Sequence, residues 1–307
     1  MSATMLQLAQ QASVEMGLAS PSTVAGNTTQ NVVQTLGLMN AVGYELQRQW
    51  QWQAQTTIYQ FQTPFYTYTA NLSSTSTTIT NLSSTTGITT TPTYFQVVGT
   101  GIPQNTFLVS VDAGLQTAVL TNTPTTSGTG VTLTISQVRF AMPSDFDRLI
   151  DRTDWDKSQH WEMLGPETAQ QWEWLTSGYI STGPRVRYRV FGSLFQIWPA
   201  LGANHQLGFE YVNNLWVTAT GQTAPNKTSF TVDTDTCIFP DRLMVLGTKL
   251  KYFEIKGFET AALYRDYTMH LDLAKANDAG SPTLSMAPRQ SSILIGYENI
   301  PDSNYGT

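Results

Sequence analysis

The fold is decided where a helical pattern gives way to a strand pattern, in residues 32–68, which read VVQTLGLMNAVGYELQRQWQWQAQTTIYQFQTPFYTY. In the first part, apolar and small residues recur three or four positions apart, which places them on one face of an α-helix. The stripe comprises Val32, Leu36, Met39, Gly43, Leu46 and Trp50. From Thr56 the apolar residues alternate with polar ones, as in a half-buried β-strand. The change of period predicts an α+β fold.

Helical patterns also open and close the chain. The first helix is expected to begin after Ser2 and to end at Gly17, whose lack of a side chain suits a left-handed cap. Pro240 suits the first position of a helix that Gly257 breaks, and a further helix follows over Thr260–Ala276. We therefore predict a helical bundle formed by the N-terminal and C-terminal helices.

Residues 69–136 resemble a linker by composition, because 29 of the 68 positions are Ser or Thr. Their alternating segments, however, are typical of strands, and Gly-containing turns such as Asp112-Ala113-Gly114 separate them. The predicted strands lie at Thr77–Ile79, Phe95–Val98, Thr106–Val111, Ala118–Leu120 and Val131–Ile135. The block is therefore expected to fold as a small β-module.

Strand patterns resume after a loop that begins near Phe140 and contains short helices, the clearest at Pro166–Leu175. The predicted strands are Arg185–Val190, Leu194–Trp198, Leu207–Val212 and a last one at Ser229–Val232. The expected parts are a discontinuous helical core (1–55 and 238–280), a central antiparallel β domain (56–68 and 137–237), the inserted module (69–136) and an extended tail (281–307).

Charge is distributed unevenly along the chain. Only Glu15, Glu45, Arg48 and Asp112 are charged in the first 138 residues, whereas the rest of the chain carries the other 34 charged side chains. Because charged side chains normally keep a free surface soluble, a neutral helical surface indicates contact with other protein. The inference is weaker for the Ser/Thr block, whose hydroxyls hydrate a surface without charge.

Composition excludes several classes of protein. A net charge of -6 argues against a nucleic-acid-binding protein, because such proteins bind phosphates with a basic surface. The single cysteine, Cys237, excludes an intrachain disulfide and a cysteine-based zinc site. The N-terminus lacks the basic and apolar regions of a signal peptide, and no run is long and apolar enough to span a bilayer. We expect an intracellular product without a membrane partner.

Residues with catalytic or ligating chemistry do not form a recognised motif. His160, His205 and His270 are far apart and fit a loop, a turn and a helix without a chemical role. We therefore predict no catalytic residue, no metal ligand and no cofactor, and hence no enzyme.

A cluster of acidic residues before the second half of the β domain could bind a divalent cation. It contains Asp145, Asp147, Asp151, Asp154 and Asp156. Its spacing does not match a calcium loop, and Arg148 and Arg152 lie between the acids. A solvated or interfacial network of salt bridges is the favoured interpretation.

Two sets of residues are predicted to make contacts between chains. Gly37 and Gly43 lie inside the second helix, where glycine costs about 1 kcal/mol relative to alanine. With Trp50 they predict close packing of another subunit, although ordinary packing within the chain remains open. The tail carries an apolar cluster expected to bind the portal or a neighbouring subunit, or else its own domain. The cluster comprises Ile293, Leu294, Ile295, Tyr297 and Tyr305.

Several of these segments resemble the head-to-tail adaptor proteins of short-tailed bacteriophages, the tail tubular protein A-like or gatekeeper-type group. The resemblance covers most of the chain outside the Ser/Thr block. It lies in Met16–Val24, Gln47–Trp52, Leu164–Leu175 with Gly183–Arg185, Phe209–Tyr211 and the closing helices from Phe239 to Asp278.

The resemblance implies a structural protein of the virion neck and tail, assembled in the host cytoplasm. The family forms a ring, typically a dodecamer, between the portal protein and the tail nozzle or tube. Tail fibres are a further partner that the resemblance allows. Genomic DNA passes through such a ring without specific binding, which suits an acidic chain. We expect the purified protein to be monomeric or weakly associated and to form rings on the portal.

Two other functions remain open. The Thr-rich β-module could make the chain a receptor-binding or carbohydrate-binding tail protein. A hydrolase acting on an envelope polymer would instead need converging carboxylates, such as Asp154 or Glu162 with Glu210.

Overall fold

The computed structural model describes residues 2–177, 185–202 and 205–278. Within them the helices are α1 (Met5–Glu15), α2 (Gln30–Gln49), α3 (Ala169–Thr176), α4 (Asp241–Lys256) and α5 (Ala261–Asp278). The strands of the first half are β1 (Thr56–Gln62), β2 (Phe65–Leu72), β3 (Thr78–Ile79), β4 (Phe95–Gly99), β5 (Thr106–Asp112), β6 (Thr117–Leu120) and β7 (Gly128–Gln137). The others are β8 (Arg139–Ala141), β9 (Phe146–Leu149), β10 (Trp155–Asp156), β11 (Trp161–Glu162), β12 (Arg187–Phe191), β13 (Leu194–Trp198), β14 (Gln206–Asn213), β15 (Val217–Thr218) and β16 (Thr236–Cys237). The predicted α+β class with antiparallel sheets is confirmed.

The ends of the helices follow their capping residues. The cap of α1 is Thr4 and not Ser2, because the Thr4 hydroxyl accepts the N–H of Gln7 while the Gln7 side chain accepts the N–H of Thr4. Gly17 takes a left-handed conformation after α1, and Gly257 does the same after α4, with φ of 73° and 74°. Both glycines thus end helices as the sequence predicts.

Helices from the two ends of the chain share one apolar core. It contains Leu8 of α1, Leu46 of α2, Leu246 of α4 and Leu271 of α5, and Trp216 from the loop after β14 completes it. The chain ends are also joined by hydrogen bonds, since the N–H of Ala3 donates to both Asp241 carboxylate oxygens, at 3.0 and 3.1 Å. The four helices therefore depend on residues far apart in sequence.

The Ser/Thr-rich segment folds as a nearly closed antiparallel barrel. Its strands follow the order β2-β7-β4-β5-β6-β3. Backbone hydrogen bonds between Asn71 and Thr80, at 2.7 and 3.1 Å, join the two outer strands. Inward side chains such as Ile79, Leu133 and Ile135 form a separate core. Closure satisfies backbone groups that an open sheet would leave at its edges.

Two smaller sheets lie between the barrel and the helical core. In one, β14 pairs with β1 on one side and with β9 and β10 on the other, and β11 pairs with β10. The other has the order β12-β13-β8. Their side chains share a core in which the rings of Tyr188, Phe195 and Phe209 stack with centroids 5.0 Å apart.

The strand predicted at Ser229–Val232 is wrong. The N–H groups of Thr231 and Val232 instead donate to Oδ2 of Asp235, both at 2.9 Å, so a side chain replaces a neighbouring strand. The loop with short helices predicted after Phe140 is also corrected, because this stretch contains β8 to β11 before α3.

No helix in the described ranges has the length and apolar character needed to cross a membrane.

Candidate functional site

Helix α5 carries two stripes of different exposure. One stripe, including Tyr267, Leu271 and Ala274, is buried in the helical core. The second is exposed, and its positions alternate four and three residues apart as in a helix seam that packs on another helix. It comprises Ala262, Asp266, Met269, Leu273 and Ala276, and we call it the α5 stripe.

The exposed fractions within the α5 stripe are large for apolar side chains. Met269 is 61% exposed and Leu273 is 55% exposed. Ile255 and Phe258, at the junction of α4 and α5, are also exposed, as is Tyr264 on α5. Met269 and Leu273 are four residues apart and therefore adjacent on the helix surface, and adjacent exposed apolar side chains mark a contact surface more often than a single scattered one does.

A second surface, formed by α1 and α2, is almost free of unpaired charge. Glu15 forms ion pairs with Arg242 and Lys249 of α4, and Glu45 pairs with Lys251. The exposed side chains of these two helices include the apolar Val14 and Val33. We call this surface the neutral face, and its low charge results from pairing within the chain as well as from composition.

The predicted contact residues of α2 lie in different environments. Gly37 is exposed, and a Cβ added there would meet nothing within 4 Å. Gly43 is buried directly against the indole of Trp216, so its close neighbour is a loop side chain of the same chain. Trp50 follows the end of α2 and is 36% exposed. Contact of any of the three with another subunit stays a prediction.

An open cleft of about 750 Å³ lies at the C-terminal end of α2. Arg48, Asp147 and Asn214 line it, and Oδ1 of Asn214 is buried without a hydrogen-bond partner among the described residues. Beyond it, Arg148 donates to Asp147 at 2.8 Å and to the carbonyl oxygen of Trp50 at 3.1 Å. This arrangement holds Trp50 beside the cleft.

The predicted contact residues of the tail lie outside the described residues: Ile293, Leu294, Ile295, Tyr297 and Tyr305. The described chain ends at Asp278, whose Oδ2 accepts the N–H of Gln53 at 3.0 Å. The last described residue therefore lies beside the segment that links α2 to β1.

The acidic cluster does not form the predicted salt-bridge network. Asp147 pairs with Arg148, but Asp145 accepts the hydroxyl of Tyr211 at 2.9 Å. Asp154 and Asp156 are buried, with 1% and 3% exposure. The correction follows from the extended backbone around β10, in which Asp154 and Asp156 are two residues apart and therefore face the same side, toward the interior.

Asp154 is buried and accepts a hydrogen bond from Tyr188. Its Oδ2 accepts the hydroxyl of Tyr188 at 2.7 Å, while its Oδ1 is buried without a partner in the described part of the chain. Burial raises the pKa of Asp154 to about 6, against the hydrogen bond from Tyr188, which lowers it. Burial likewise raises the pKa of Tyr188, so this phenol stays protonated and donates.

The carboxylates considered for hydrolysis each have a different partner. Asp154 bonds Tyr188 in the core, whereas Glu162 lies 3.8 Å from Arg152 at the surface hairpin. Glu210 is on β14, where its backbone N–H and carbonyl bond the Thr153 hydroxyl. Among the described residues, moreover, no three His, Cys, Asp or Glu side chains converge as metal ligands.

Two contacts could not be predicted from the sequence: that of Trp216 with Gly43 and that of His205 with Asp156. Trp216 is fully buried, but it lies in a loop without periodicity. The only signal in the sequence was the tryptophan itself, because this large side chain is usually buried. His205 was explained by a turn, but its Nδ1 lies 2.8 Å from Oδ2 of Asp156. No spacing rule connects residues so far apart in sequence.

No protein-family model matches the chain. No curated protein matches it either.

Proposed function

We propose that the protein is a structural subunit of a virion, a head-to-tail adaptor that forms a ring between the portal and the tail nozzle or tube. The α5 stripe carries this proposal. Its Met269 and Leu273 are exposed at helix-packing positions, whereas the parallel stripe with Tyr267 and Leu271 is already buried in the chain. A partner outside the chain would give the α5 stripe the same burial.

The helical core offers two unlike surfaces for such a ring. The α5 stripe is one, and the neutral face with Val14 and Val33 is the other. Contact between unlike surfaces of identical subunits generates a closed ring when the rotation between them closes. In this proposal the four helices act as one bundle, and the α5 stripe of each subunit packs on the neutral face of the next.

The charge of the chain supports a role as a DNA conduit. The net charge is -6, so the chain lacks the strong electrostatic attraction that a basic protein has for DNA phosphates. A channel wall built from such subunits would let genomic DNA pass without holding it. The same subunits would contact the portal above and the tail below, in the virion neck.

Receptor or carbohydrate binding through the barrel remains the alternative, but it has less support. The aromatic residues on the barrel strands, among them Tyr66, Tyr68 and Phe107, are half-buried and not displayed as platforms. Phe107 is additionally covered by Arg139, whose guanidinium carbon lies 4.3 Å from the ring centroid.

The adaptor proposal predicts that a double substitution, Met269→Glu with Leu273→Glu, abolishes ring formation on the portal. Buried glutamates would lose hydration without a partner, and copies of the charge would repeat around the ring. The variant should still fold, because both side chains are exposed. Electron microscopy of the chain mixed with the portal protein of the same phage measures the result.

Leu115→Glu is the matched control. Leu115 is 73% exposed on a barrel turn, outside both proposed contact surfaces. Its variant should form rings as the unaltered chain does. If the unaltered chain forms no ring on the portal, the adaptor function is refuted. If the double variant still forms rings, the α5 stripe is not part of the interface.

A further inference from the structure

A small cavity of about 200 Å³ lies in the central sheets, away from the α5 stripe and the neutral face. It is bounded by the β10–β11 hairpin, the start of β12 and the residues before β14. The polar and aromatic residues that line it are Asp156, Gln159, Trp161, Glu162, Arg185 and His205. The adaptor role uses none of them.

Asp156 anchors this cavity. Its Oδ1 accepts the N–H groups of Ser158 and Gln159, at 3.0 and 3.2 Å, and its Oδ2 lies 2.8 Å from Nδ1 of His205. Because a carboxylate accepts hydrogen bonds, the Nδ1 of His205 donates, which leaves Nε2 for another group. The side chain of Asp156 is 4% exposed, so it orients the histidine from inside the protein.

The backbone of His205 is fixed as well. Its N–H donates to the Thr63 hydroxyl at 3.0 Å, and its carbonyl accepts the N–H of Thr63 at 2.9 Å. Thr63 is 1% exposed. The imidazole is thus held by contacts on both its side chain and its backbone, and binding needs little further ordering.

The hairpin presents an aromatic surface at the same cavity. Trp161 lines it and is 40% exposed, and it follows His160, whose φ of 55° is uncommon for a residue other than glycine. Such local strain is found at functional sites more often than elsewhere. An exposed tryptophan supplies apolar contact to a ligand while keeping a polar edge in water.

The lining chemistry selects the class of ligand. Arg185 supplies donors, Glu162 supplies acceptors, and Gln159 supplies both. A phosphate or other anion would meet the carboxylates of Glu162 and Asp156, whereas a hydroxyl-rich neutral ring pairs with donors and acceptors together. The volume is below that of most drug-sized sites, which suits one ring.

We propose that this cavity binds a single pyranose unit, either a free sugar or one residue of a glycan, with Trp161 against the ring and His205 among the groups that bond its hydroxyls. The site is distinct from the barrel surface considered above. It would give an assembly protein a contact with sugar, and its existence does not depend on ring formation.

The test uses the full chain and saturation-transfer NMR. The probes are D-glucose, D-galactose and N-acetyl-D-glucosamine, with dextran as a polymer whose rings are almost all internal. At least one free sugar should give a signal from the unaltered chain, and Trp161→Ala should lose it. Dextran contains only glucose, so it is the polymer probe for a site that binds glucose: a signal from it as well would assign the site to polymer recognition, and its absence would assign the site to free or terminal glucose.

Trp174→Ala is the control. Trp174 is 54% exposed on α3 and does not line the cavity, so this variant should keep the signal. A second variant, Arg185→Ala, should weaken the signal while thermal unfolding stays unchanged, because Arg185 is exposed. Any one of three results would overturn the proposal. These are no signal from any of the three sugars with the unaltered chain, a signal from Trp161→Ala equal to that from the unaltered chain, and displacement of the sugar by inorganic phosphate.

Discussion

Replacing Gly43 with alanine is expected to lower the free energy of unfolding by about 3 kcal/mol, the upper part of the usual range for overpacking. The added Cβ would fall 2.6 Å from Cζ3 of Trp216 and closer still to two other atoms of the same ring. Trp216 is fully buried, with the rings of Phe230 and Phe239 centred 5.1 and 5.7 Å away. These neighbouring rings therefore limit how far the indole can move away from residue 43.

The same substitution at Gly37 is the matched control and should have the opposite sign. Gly37 lies on the same helix with nothing near its missing side chain. Alanine there should stabilise the protein by up to about 1 kcal/mol through helix propensity and a less flexible unfolded chain. Urea unfolding followed by circular dichroism measures both variants. Equal effects at the two positions would show that the Trp216 contact does not limit the size of residue 43.

Replacing Asp154 with asparagine is expected to change how stability depends on pH. The pKa of Asp154 is raised from about 3.8 to about 6 in the folded protein, chiefly by burial. Between these values the folded state holds a proton that the unfolded state has released. Folding is therefore favoured at low pH, and the contribution of Asp154 is lost as pH rises toward 6 and above.

The expected size follows from the shift of about two pKa units, which corresponds to about 3 kcal/mol. Asparagine cannot ionise, but it can still accept the hydroxyl of Tyr188. The stability of Asp154→Asn relative to the unaltered chain should thus be about 2–3 kcal/mol greater at pH 7.5 than at pH 4, where the unfolded carboxyl is already partly ionised. Any constant cost of the buried amide cancels from this comparison.

Denaturant unfolding of both proteins across this range provides the measurement. The difference in the free energy of unfolding should rise between pH 4 and 6 and then become level. Two parallel curves would contradict a raised pKa at Asp154. Asp147→Asn is the control, because Asp147 forms an ion pair with Arg148 at the surface and is not buried in the core as Asp154 is.

Regular elements with a clear period were predictable from the sequence. Strand β13 has the predicted bounds, and Gly257 ends α4 as expected. These features depend on local patterns: alternation along a strand and a left-handed cap after a helix. The barrel strands were likewise visible, because their inward residues alternate with Ser and Thr.

The short strands β10 and β11 could not be predicted in the same way. Two residues are too few to show alternation, and these strands exist because the hairpin pairs with β14. The candidate sites add a further difficulty. The exposure of Met269 becomes apparent only when Tyr267 and Leu271 are seen to pack on the core, and the pairing of His205 with Asp156 depends on the tertiary fold.

The join between the barrel and the central sheets determines how the barrel bears mechanical load. The chain enters at Pro64 and leaves at Gln137, and the N–H of Gln137 donates to the carbonyl of Pro64 at 3.0 Å. Outside this point, Thr63 is bonded to His205, and Val138 accepts the N–H of Ile197 at 2.9 Å. Tension along the chain is therefore carried by the central sheets before it reaches β2 and β7. If those anchors broke, the two strands would separate from their base one hydrogen-bonded pair at a time, so the barrel would yield by unzipping and extend the chain gradually.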